Sequence, residues 1–379
     1  MMERILLSLA HMGGTERKYV DEAFADNWIV PLGPNVDEFE HRLEKFLGAG
    51  HVVALSAGTA AIHLGLVLAG VEEGDEVICQ SFTFSASANP VRYCGANPVF
   101  VDSEPDTWNM DANWLRIAIE DRLRATGKLP KAIVPVHLYG MPAKMDEINA
   151  VAAEYGIAVV EDAAEALGST LHGEECGTLG TFGALSFNGN KIITTSGGGA
   201  LICPSAELAA RAKFYATQAR EDRPYYYHKV IGYNYRLSNV SAGIGCGQME
   251  VLEQHLSRRR AIHELYKKLL GHIDGITVHD NPTPEYDSNF WLTTITLDPD
   301  RIKTTPDQLR IALNNLNIET RLLWRPMHMQ PVYESAPYYG GTVAEDLFNR
   351  GLCLPSGSSL EDKDIARVAD AIAQTIEKR

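Results

Sequence analysis

The sequence predicts an α/β protein in which a large domain with a mixed, mostly parallel sheet precedes a smaller α+β domain. Two observations support this fold class. Short apolar runs alternate with longer amphipathic stretches from residue 51 to residue 203, a pattern typical of a sheet covered by helices on both faces. The chain also has 379 residues, more than a single hydrophobic core usually organises. We therefore expect a large domain at 1–250 and a smaller one at 251–379.

The elements of the large domain follow this alternation in order. Helical periodicity predicts helices at 14–27, 37–47, 60–68, 114–125 and 145–155, with a shorter one ending at residue 93. Apolar runs bounded by turn residues predict strands at 51–56, 76–80, 98–102, 132–138, 158–162, 182–187 and 199–203. Ligands of such sheets bind beyond the carboxyl ends of the strands, so the residues that follow these runs are the candidates for function.

A long helical stretch at 240–270 spans the boundary between the two predicted domains, and Arg258, Arg259 and Arg260 within it are expected on a solvated face. An alternating pattern then predicts a half-buried strand at 290–297. The remaining predicted elements are a helix at 305–316, a strand at 319–323 and a final helix from residue 362 onward.

Composition excludes several classes of function. The net charge of −15 disfavours nucleic acid and anionic membrane surfaces as partners. No apolar run reaches the ~18 residues of a membrane span, and the amino-terminal segment turns polar too early for a secretion signal. Six scattered cysteines without a C-x-x-C pair favour reduced thiols over a disulfide framework or a zinc site. We expect a cytoplasmic protein without a metal.

One lysine, Lys191, stands between the strand at 182–187 and a run of glycines at 197–199. Burial at the edge of a core disfavours the charged form of a lysine and frees its amine to act as a nucleophile. Such an amine characteristically joins a carbonyl, including the aldehyde of pyridoxal phosphate (PLP). Taken alone, the position fits a surface lysine in a turn better. The assignment therefore depends on the rest of the chain.

Four further features fit the same cofactor, and each also has a plainer explanation. Gly58 and Thr59 begin a helix, where free backbone N–H groups bind phosphate or simply start the helix. Asp162 ends a strand, where its carboxylate would keep a pyridine nitrogen protonated or would cap the next turn. Phe84 could stack on a flat ring or pack in a core. Ser186 could bind phosphate or close a strand.

The order of these features is hard to reach by chance, with Lys191 placed 29 residues after Asp162 and followed by the glycine run. With these residues the chain resembles the DegT/DnrJ/StrS family of PLP-dependent nucleotide-sugar aminotransferases, within the aspartate-aminotransferase fold group (PLP fold type I). The resemblance is carried by segments 56–63, 136–140, 160–165, 186–199, 232–238 and 354–357. The run at 186–199 is most similar to members that make UDP-4-amino-4,6-dideoxy-N-acetylglucosamine, the bacillosamine precursor.

The resemblance implies the roles of the cofactor-binding residues. Lys191 would carry PLP on its amine and move the proton during the reaction, and Asp162 would pair with the ring nitrogen. Phe84 would cover one face of the ring. Gly58, Thr59 and Ser186 would bind the phosphate, and Glu165, where many members carry His or Gln, would lie beside the ring or its oxygen. Family members complete the phosphate site across a dimer interface, which implies a homodimer with shared active sites and a role for Asn234.

The resemblance also implies the reaction and the substrate contacts. L-Glutamate would donate the amino group and leave as 2-oxoglutarate, and the acceptor would be the 4-keto group of a UDP-linked 4-keto-6-deoxy-N-acetylhexosamine. The expected substrate-binding residues are Asn188, Tyr233, Arg236, Arg321, Trp324 and His328. Arg321 and His328 would contact the diphosphate, and Trp324 would stack on the uracil.

Alternatives remain open at this point. Family members that act on dTDP- or GDP-linked sugars, on 3-keto sugars or toward the other C4 epimer share the same core motifs. A catalytically idle relative that binds PLP or a nucleotide sugar is a second alternative, although the set of Lys191, Asp162 and Thr59 argues against it. A sugar dehydratase of the family is a less favoured alternative, since those enzymes carry histidine at the position of Lys191. A nicotinamide dehydrogenase would need a G-x-G-x-x-G motif after its first strand, which this sequence lacks.

Overall fold

The structure of the chain is a computed structural model that describes residues 3–377. Within these residues the helices are α1 (Glu16–Ala25), α2 (Pro34–Leu47), α3 (Gly58–Leu68), α4 (Asn89–Tyr93), α5 (Ala112–Thr126), α6 (Met145–Tyr155), α7 (Ala206–Ala216), α8 (Asn239–Met249), α9 (Leu252–Leu270), α10 (Pro306–Asn315), α11 (Val343–Arg350) and α12 (Asp362–Glu377). The strands are β1 (His51–Leu55), β2 (Glu76–Gln80), β3 (Asn97–Val101), β4 (Ala132–Val134), β5 (Ala158–Asp162), β6 (Thr170–Leu171), β7 (Glu174–Glu175), β8 (Phe182–Ser186), β9 (Gly199–Cys203), β10 (Ile276–Val278), β11 (Tyr286–Asp287), β12 (Thr294–Leu297), β13 (Arg321–Leu322), β14 (Tyr338–Tyr339) and β15 (Gly351–Cys353).

A wide sheet organises the first part of the chain, with the strand order β1-β9-β8-β5-β4-β2-β3-β14. Neighbouring strands are parallel from β8 to β14, whereas β9 and β1 are antiparallel to their neighbours. The predicted mixed, mostly parallel sheet is therefore confirmed. The strand predicted at 132–138 ends at Val134, because Pro135 has no N–H with which to continue the ladder.

Helices cover both faces of this sheet. One face packs against α3 and α7, and the other against α5 and α6. Helix α3 is buried on nearly all sides, which explains why its sequence is apolar all round rather than amphipathic. The carboxyl ends of β2, β4, β5 and β8 meet at one edge of the sheet, and the loops after them surround the candidate site.

A second sheet has the strand order β10-β12-β15-β13, and all of its pairs are antiparallel. Helices α9, α10 and α12 pack together beside this sheet and share its apolar core. Strands β11, β6 and β7 form a small third sheet. Between residues 3 and 377, no helix combines the length and the apolar character needed to cross a membrane.

The chain crosses between the two large sheets more than once. Strand β14 joins the wide sheet beside β3, where the buried carboxylate of Asp102 accepts hydrogen bonds from the N–H groups of Gly341, Val343 and Ala344 at 3.0–3.1 Å. Near the amino terminus, Ile5 pairs with Ile318. The predicted limits at 1–250 and 251–379, whose outer ends lie outside the described residues, therefore remain a prediction.

Two predicted elements differ from the structure in ways that matter for the site. The strand predicted at 290–297 begins only at Thr294, because the preceding residues form a buried, irregular loop in which Phe290 has a φ of 46°. The Asn289 side chain stabilises this loop by donating hydrogen bonds to the carbonyls of Glu165 and Leu167 at 2.8 and 2.9 Å. The helical stretch predicted at 240–270 is interrupted between Met249 and Leu252, which separates α8 from α9.

The expectation that Arg258, Arg259 and Arg260 form a solvated face is wrong. Arg259 is only 1% exposed, and it donates hydrogen bonds to the carbonyls of Trp291 at 2.5 Å and Ser356 at 3.1 Å. Loss of hydration lowers the pKa of its guanidinium to about 9. Arg258 and Arg260 are partly buried and also donate to backbone carbonyls. These arginines tie α9 to neighbouring segments because that face of the helix packs against the rest of the molecule.

Candidate active site

A cavity of about 410 Å³ lies at the carboxyl ends of the parallel strands. Many of the residues singled out from the sequence line it, namely Gly58, Thr59, Phe84, Asp162, Glu165, Ser186, Asn188, Lys191, Arg321 and Trp324. Other parts of its wall come from the amino-terminal segment through Leu7 and from the loop before β12 through Trp291 and Leu292. The structure thus brings distant parts of the chain to one site.

Lys191 is not a surface lysine in a turn. Its backbone N–H donates to the carbonyl of Asn188 at 3.0 Å, and the following Ile192 and Ile193 are buried in the core. The side chain is 13% exposed, with Nζ 3.1 Å from Oε1 of Glu165. Nζ also lies 4.1 Å from the centroid of the Trp291 ring. The amine is therefore held inside the cavity by a carboxylate and an aromatic face.

Glu165 is a buried carboxyl group in direct contact with this amine. It is 4% exposed, and Oε2 accepts a hydrogen bond from the backbone N–H of Tyr139 at 2.8 Å. Burial raises the pKa of Glu165 to about 7, although the Lys191 ammonium and the Tyr139 N–H act in the opposite direction. Glu165 can therefore change its protonation state near neutral pH.

Asp162 is the last residue of β5, and its carboxylate faces the cavity. Oδ2 accepts a hydrogen bond from the hydroxyl of Ser87 at 2.5 Å, and Oδ1 accepts one from the N–H of Ala164 at 3.1 Å. The Ser87 hydroxyl is in turn 2.7 Å from the hydroxyl of Thr83. Two fixed donors therefore orient a carboxylate that is 5% exposed.

The start of α3 lies against Ser186 at the end of β8. The residue before the helix, Ala57, provides no side-chain cap, so the first N–H groups of the helix remain available for an anion. A Cβ atom at Gly58 would lie 3.0 Å from Cβ of Ser186 and 3.3 Å from the carbonyl of Leu185. Glycine therefore allows this close approach, which places the helix start beside a hydroxyl group.

Aromatic side chains and a cation occupy another part of the cavity. The Phe84 ring, 55% exposed, lies 5.5 Å from that of Trp324. The Trp324 ring lies 5.1 Å from that of Tyr139, whose hydroxyl accepts a hydrogen bond from the backbone N–H of Trp324 at 2.9 Å. Arg321 has a side chain that is 65% exposed and pairs with Glu319 at 3.1 Å. Flat rings and a solvated guanidinium suit a ligand with a planar base and phosphate groups.

The structure does not bring every predicted residue to this cavity. Among the described residues, the lining does not include Tyr233, Asn234, Arg236 or His328. Asn234 is exposed, and its predicted role, which involves a second subunit, remains a prediction. His328 has both ring nitrogens engaged, Nδ1 by the Ser81 hydroxyl at 2.6 Å and Nε2 by Glu345 at 3.0 Å. In this arrangement His328 therefore has no free ring nitrogen with which to contact a diphosphate.

Sequence reasoning missed three contributors to the site. Tyr139 lies in a segment that carried the family resemblance, so a signal for it was present. Ser87 is a small residue in a loop, and only its position beside Asp162 reveals its contribution. Trp291 comes from a segment predicted as a strand, and it reaches Lys191 from 100 residues further along the chain.

These residues fit PLP as a group. The uncapped start of α3 and the Ser186 hydroxyl provide donors for its phosphate, and the Asp162 carboxylate provides an acceptor for a protonated ring nitrogen. The Lys191 amine is the nucleophile that its aldehyde requires. All of them line one cavity.

Known proteins resemble this chain over nearly its whole length. The model of the DegT/DnrJ/EryC1/StrS aminotransferase family matches residues 11–373. The chain is 50% identical over 379 residues to EpsN of Bacillus subtilis, covering 98% of this chain and 96% of EpsN. It is 38% identical over 375 residues to the GDP-perosamine synthase of Caulobacter vibrioides, covering 99% of each chain.

A solved structure agrees with these relatives. The crystal structure of a DegT DnrJ EryC1 StrS aminotransferase from Brucella abortus matches with a TM-score of 0.89 and 31% identity, covering 96% of this chain and 95% of that one. The fold predicted from the sequence is thereby confirmed. The chain belongs to the DegT/DnrJ/EryC1/StrS family and is a PLP-dependent aminotransferase with PLP fold type I.

Proposed function

We propose that this aminotransferase moves an amino group from L-glutamate to the C4 keto group of a UDP-linked 4-keto-6-deoxy-N-acetylhexosamine. The product would be UDP-4-amino-4,6-dideoxy-N-acetylglucosamine. The observation that carries the proposal is that Lys191, Glu165 and Asp162 share one cavity with Trp324 and Arg321. Stacking on Trp324 and charge pairing with Arg321 would bind a base and a diphosphate. The run at 186–199 resembles that of enzymes that make this product, which favours a 4-keto-6-deoxy-N-acetylhexosamine as the sugar of the acceptor.

The proposal assigns a task to each residue of the site. PLP, when bound, supplies the electron sink that makes the amino-bearing carbon acidic. Nζ of Lys191 takes the proton from that carbon and later delivers a proton to C4 of the sugar. Glu165 exchanges a proton with Nζ across 3.1 Å, and Asp162 holds the charge of the ring nitrogen. The start of α3 and Ser186 anchor the phosphate.

We also propose that the enzyme works in the cytoplasm as a homodimer with shared active sites. Large apolar side chains are exposed just before Asn234, including Tyr226 at 79% and Ile231 at 83%. Exposed apolar surface of this kind marks protein interfaces, and a partner covering it would lie next to Asn234. Sedimentation of the purified enzyme at twice the chain mass is expected, whereas a monomer that is fully active would contradict the proposal.

A second candidate is an acceptor linked to GDP. The relative that is 38% identical over nearly the whole chain is named a GDP-perosamine synthase. The residues that would hold PLP and move the proton serve either substrate, so the base and the substituent at C2 of the sugar distinguish the two candidates.

One experiment separates these candidates. The purified enzyme with PLP and L-glutamate is incubated with UDP-4-keto-6-deoxy-N-acetylglucosamine and, in parallel, with GDP- and dTDP-linked 4-keto-6-deoxy sugars and a 3-keto sugar. The formation of 2-oxoglutarate gives kcat/KM, and NMR gives the C4 configuration of the product. We expect the UDP substrate to be preferred by about 10-fold or more, which is what one well-placed contact provides. A preference for the GDP substrate would replace the first candidate by the second.

Glu165→Gln is expected to lower turnover about 10-fold and to flatten its pH dependence. The carboxyl group has a pKa of about 7, so it can accept a proton from Lys191 above that pH and not below it. Turnover of the wild type should therefore fall as the pH drops through about 7, whereas the neutral amide should give a level profile. The measurement is kcat against pH at saturating substrates.

Glu175→Gln is the matched control. Burial also raises the pKa of Glu175 to about 7, but this residue is on β7 and does not line the cavity. The control should keep the wild-type profile. If Glu165→Gln kept the same fall near neutral pH, another group would have to be the proton acceptor.

A further inference from the structure

Lys191 is supported by a tryptophan that the sequence did not single out. We propose that Trp291 is a positioning residue for Lys191, because its indole holds both the backbone carbonyl before the lysine and the amine at the end of its side chain. The inference rests on the proposed function, in which Lys191 is the residue that carries PLP.

Trp291 makes two different contacts with the lysine segment. Its indole N–H donates to the carbonyl of Asn190 at 2.7 Å, and its ring lies 4.1 Å below Nζ of Lys191. Trp291 is 3% exposed, so its indole N–H depends on the Asn190 carbonyl as its acceptor. Rotation of the peptide between Asn190 and Lys191 would leave a buried N–H without an acceptor, which is costly. The first contact therefore fixes the direction in which the lysine side chain leaves the backbone.

The second contact restricts the end of the side chain. A lysine amine on four flexible carbons explores many positions, and the Glu165 carboxylate at 3.1 Å alone would let it swing around one anchor. The face of an indole attracts a positively charged nitrogen and holds it over the ring. Two anchors therefore leave the amine a smaller volume than the carboxylate alone would.

Hydrogen bonds hold both the backbone N–H and the backbone carbonyl of Trp291. Its N–H donates to Oδ1 of Asn289 at 2.8 Å, and its carbonyl accepts from the guanidinium of Arg259 at 2.5 Å. Arg259 also donates to the hydroxyl of Ser8 at 3.0 Å. That hydroxyl in turn donates to the same Asn190 carbonyl at 2.9 Å. The buried arginine therefore supports both donors that fix the carbonyl before Lys191.

The test separates binding of PLP from its attachment to Lys191. Attachment joins the lysine nitrogen to the aldehyde carbon with loss of one water, and added borohydride then reduces the new double bond and makes it permanent. Apo wild type, Trp291→Leu and Trp291→Phe are mixed with PLP. Reduction at successive times followed by peptide mass spectrometry gives the rate at which Lys191 is modified, and the dependence of this rate on PLP concentration gives the Kd of the initial complex.

We expect Trp291→Leu to slow attachment about 10- to 30-fold, because the lysine side chain is no longer held where its amine can meet the aldehyde, while the Kd of the initial PLP complex changes by less than about threefold, because the phosphate donors are elsewhere. Trp291→Phe retains a ring but lacks the N–H, so it should be slowed about 5-fold, the effect of one lost hydrogen bond. Trp108→Leu removes another buried tryptophan, which stacks on His279 and does not line the cavity. This control should attach PLP at the wild-type rate.

The contrary outcomes are distinct. Attachment by Trp291→Leu at the wild-type rate would overturn the inference. Equal losses of attachment rate in Trp291→Leu and Trp108→Leu would do the same, since they would show a general effect on the fold. If Trp291→Leu does not fold, a wild-type rate in Trp291→Phe overturns the inference. Failure of the wild type itself to be modified at Lys191 would instead refute the assignment of that lysine in the proposed function.

Discussion

Lys191→Ala is expected to reduce turnover by about 10,000-fold or more, the upper range for a group that moves a proton in the transition state. Among residues 3–377, Lys191 is the only lysine that lines the cavity, and its neighbouring groups are the Glu165 carboxyl and the Trp291 ring. Removing the ammonium also removes an interaction that lowers the pKa of Glu165, so this pKa should rise and leave a protonated acid. The measurement is 2-oxoglutarate formation from L-glutamate.

The same variant should still bind PLP without a covalent bond. The start of α3, Ser186 and Asp162 are untouched by the substitution, and in the proposed function they would provide the contacts with the phosphate and the ring. Lys144→Ala is a suitable control, since Lys144 is 22% exposed and pairs with Glu104 at 2.9 Å and Asp106 at 2.6 Å. The control should keep wild-type turnover. Transamination that survives in Lys191→Ala would show that another group moves the proton.

Asp162→Asn is expected to lower kcat about 100- to 1,000-fold, the effect of losing one fixed charge beside the reacting group. The amide has nearly the same shape, and its oxygen can still accept a hydrogen bond from Ser87 or Ala164. The fold should therefore persist while the ring nitrogen loses its anionic partner and the electron sink weakens. The near-visible absorption of bound PLP should shift along with the loss of kcat.

Asp280→Asn provides the comparison for this change. Asp280 is another partly buried carboxylate, paired with Lys267 at 2.5 Å and His263 at 3.3 Å, and it does not line the cavity. Its amide variant should keep kcat within about twofold of the wild type and leave the absorption unchanged. An Asp162→Asn enzyme with full kcat and an unshifted spectrum would exclude the proposed pairing with the ring nitrogen.

Much of the site could be predicted because its main residues follow strands of one sheet. Asp162 ends β5, Ser186 ends β8, and Lys191 follows in the next loop. The carboxyl ends of parallel strands lie at one edge of the sheet. Because local apolar runs predict the strands, they also predict that the residues after these strands are neighbours in space, even when they are far apart in the sequence. Gly58 was found in the same way, because a short apolar strand precedes the helix that it begins.

The remaining contributors depend on contacts that local patterns do not encode. Arg259 stands in a run of three arginines that looks like a solvated surface, but carbonyls from distant loops make its burial possible. Trp291 lies where apolar residues suggest a strand, and the hydrogen bonds of Asn289 bend the chain there instead. In both cases the deciding partners are polar groups about 30 to 120 residues away.

The amino-terminal segment beside the cavity has a consequence for biosynthesis. The Ser8 hydroxyl accepts a hydrogen bond from Arg259, which is 251 positions later in the sequence. The N–H of Leu7 donates to the carboxylate of Glu319, which is 312 positions later. Contacts between residues so far apart in the sequence require a long loop to close, which slows their formation. While the chain is still emerging from the ribosome, strands β1 to β5, β8 and β9 of the wide sheet can pair, but β14 and the carboxylate that holds Leu7 have not yet been made. A nascent fragment that stops before Glu319 would therefore have most of the wide sheet but not the complete wall of the cavity around Lys191.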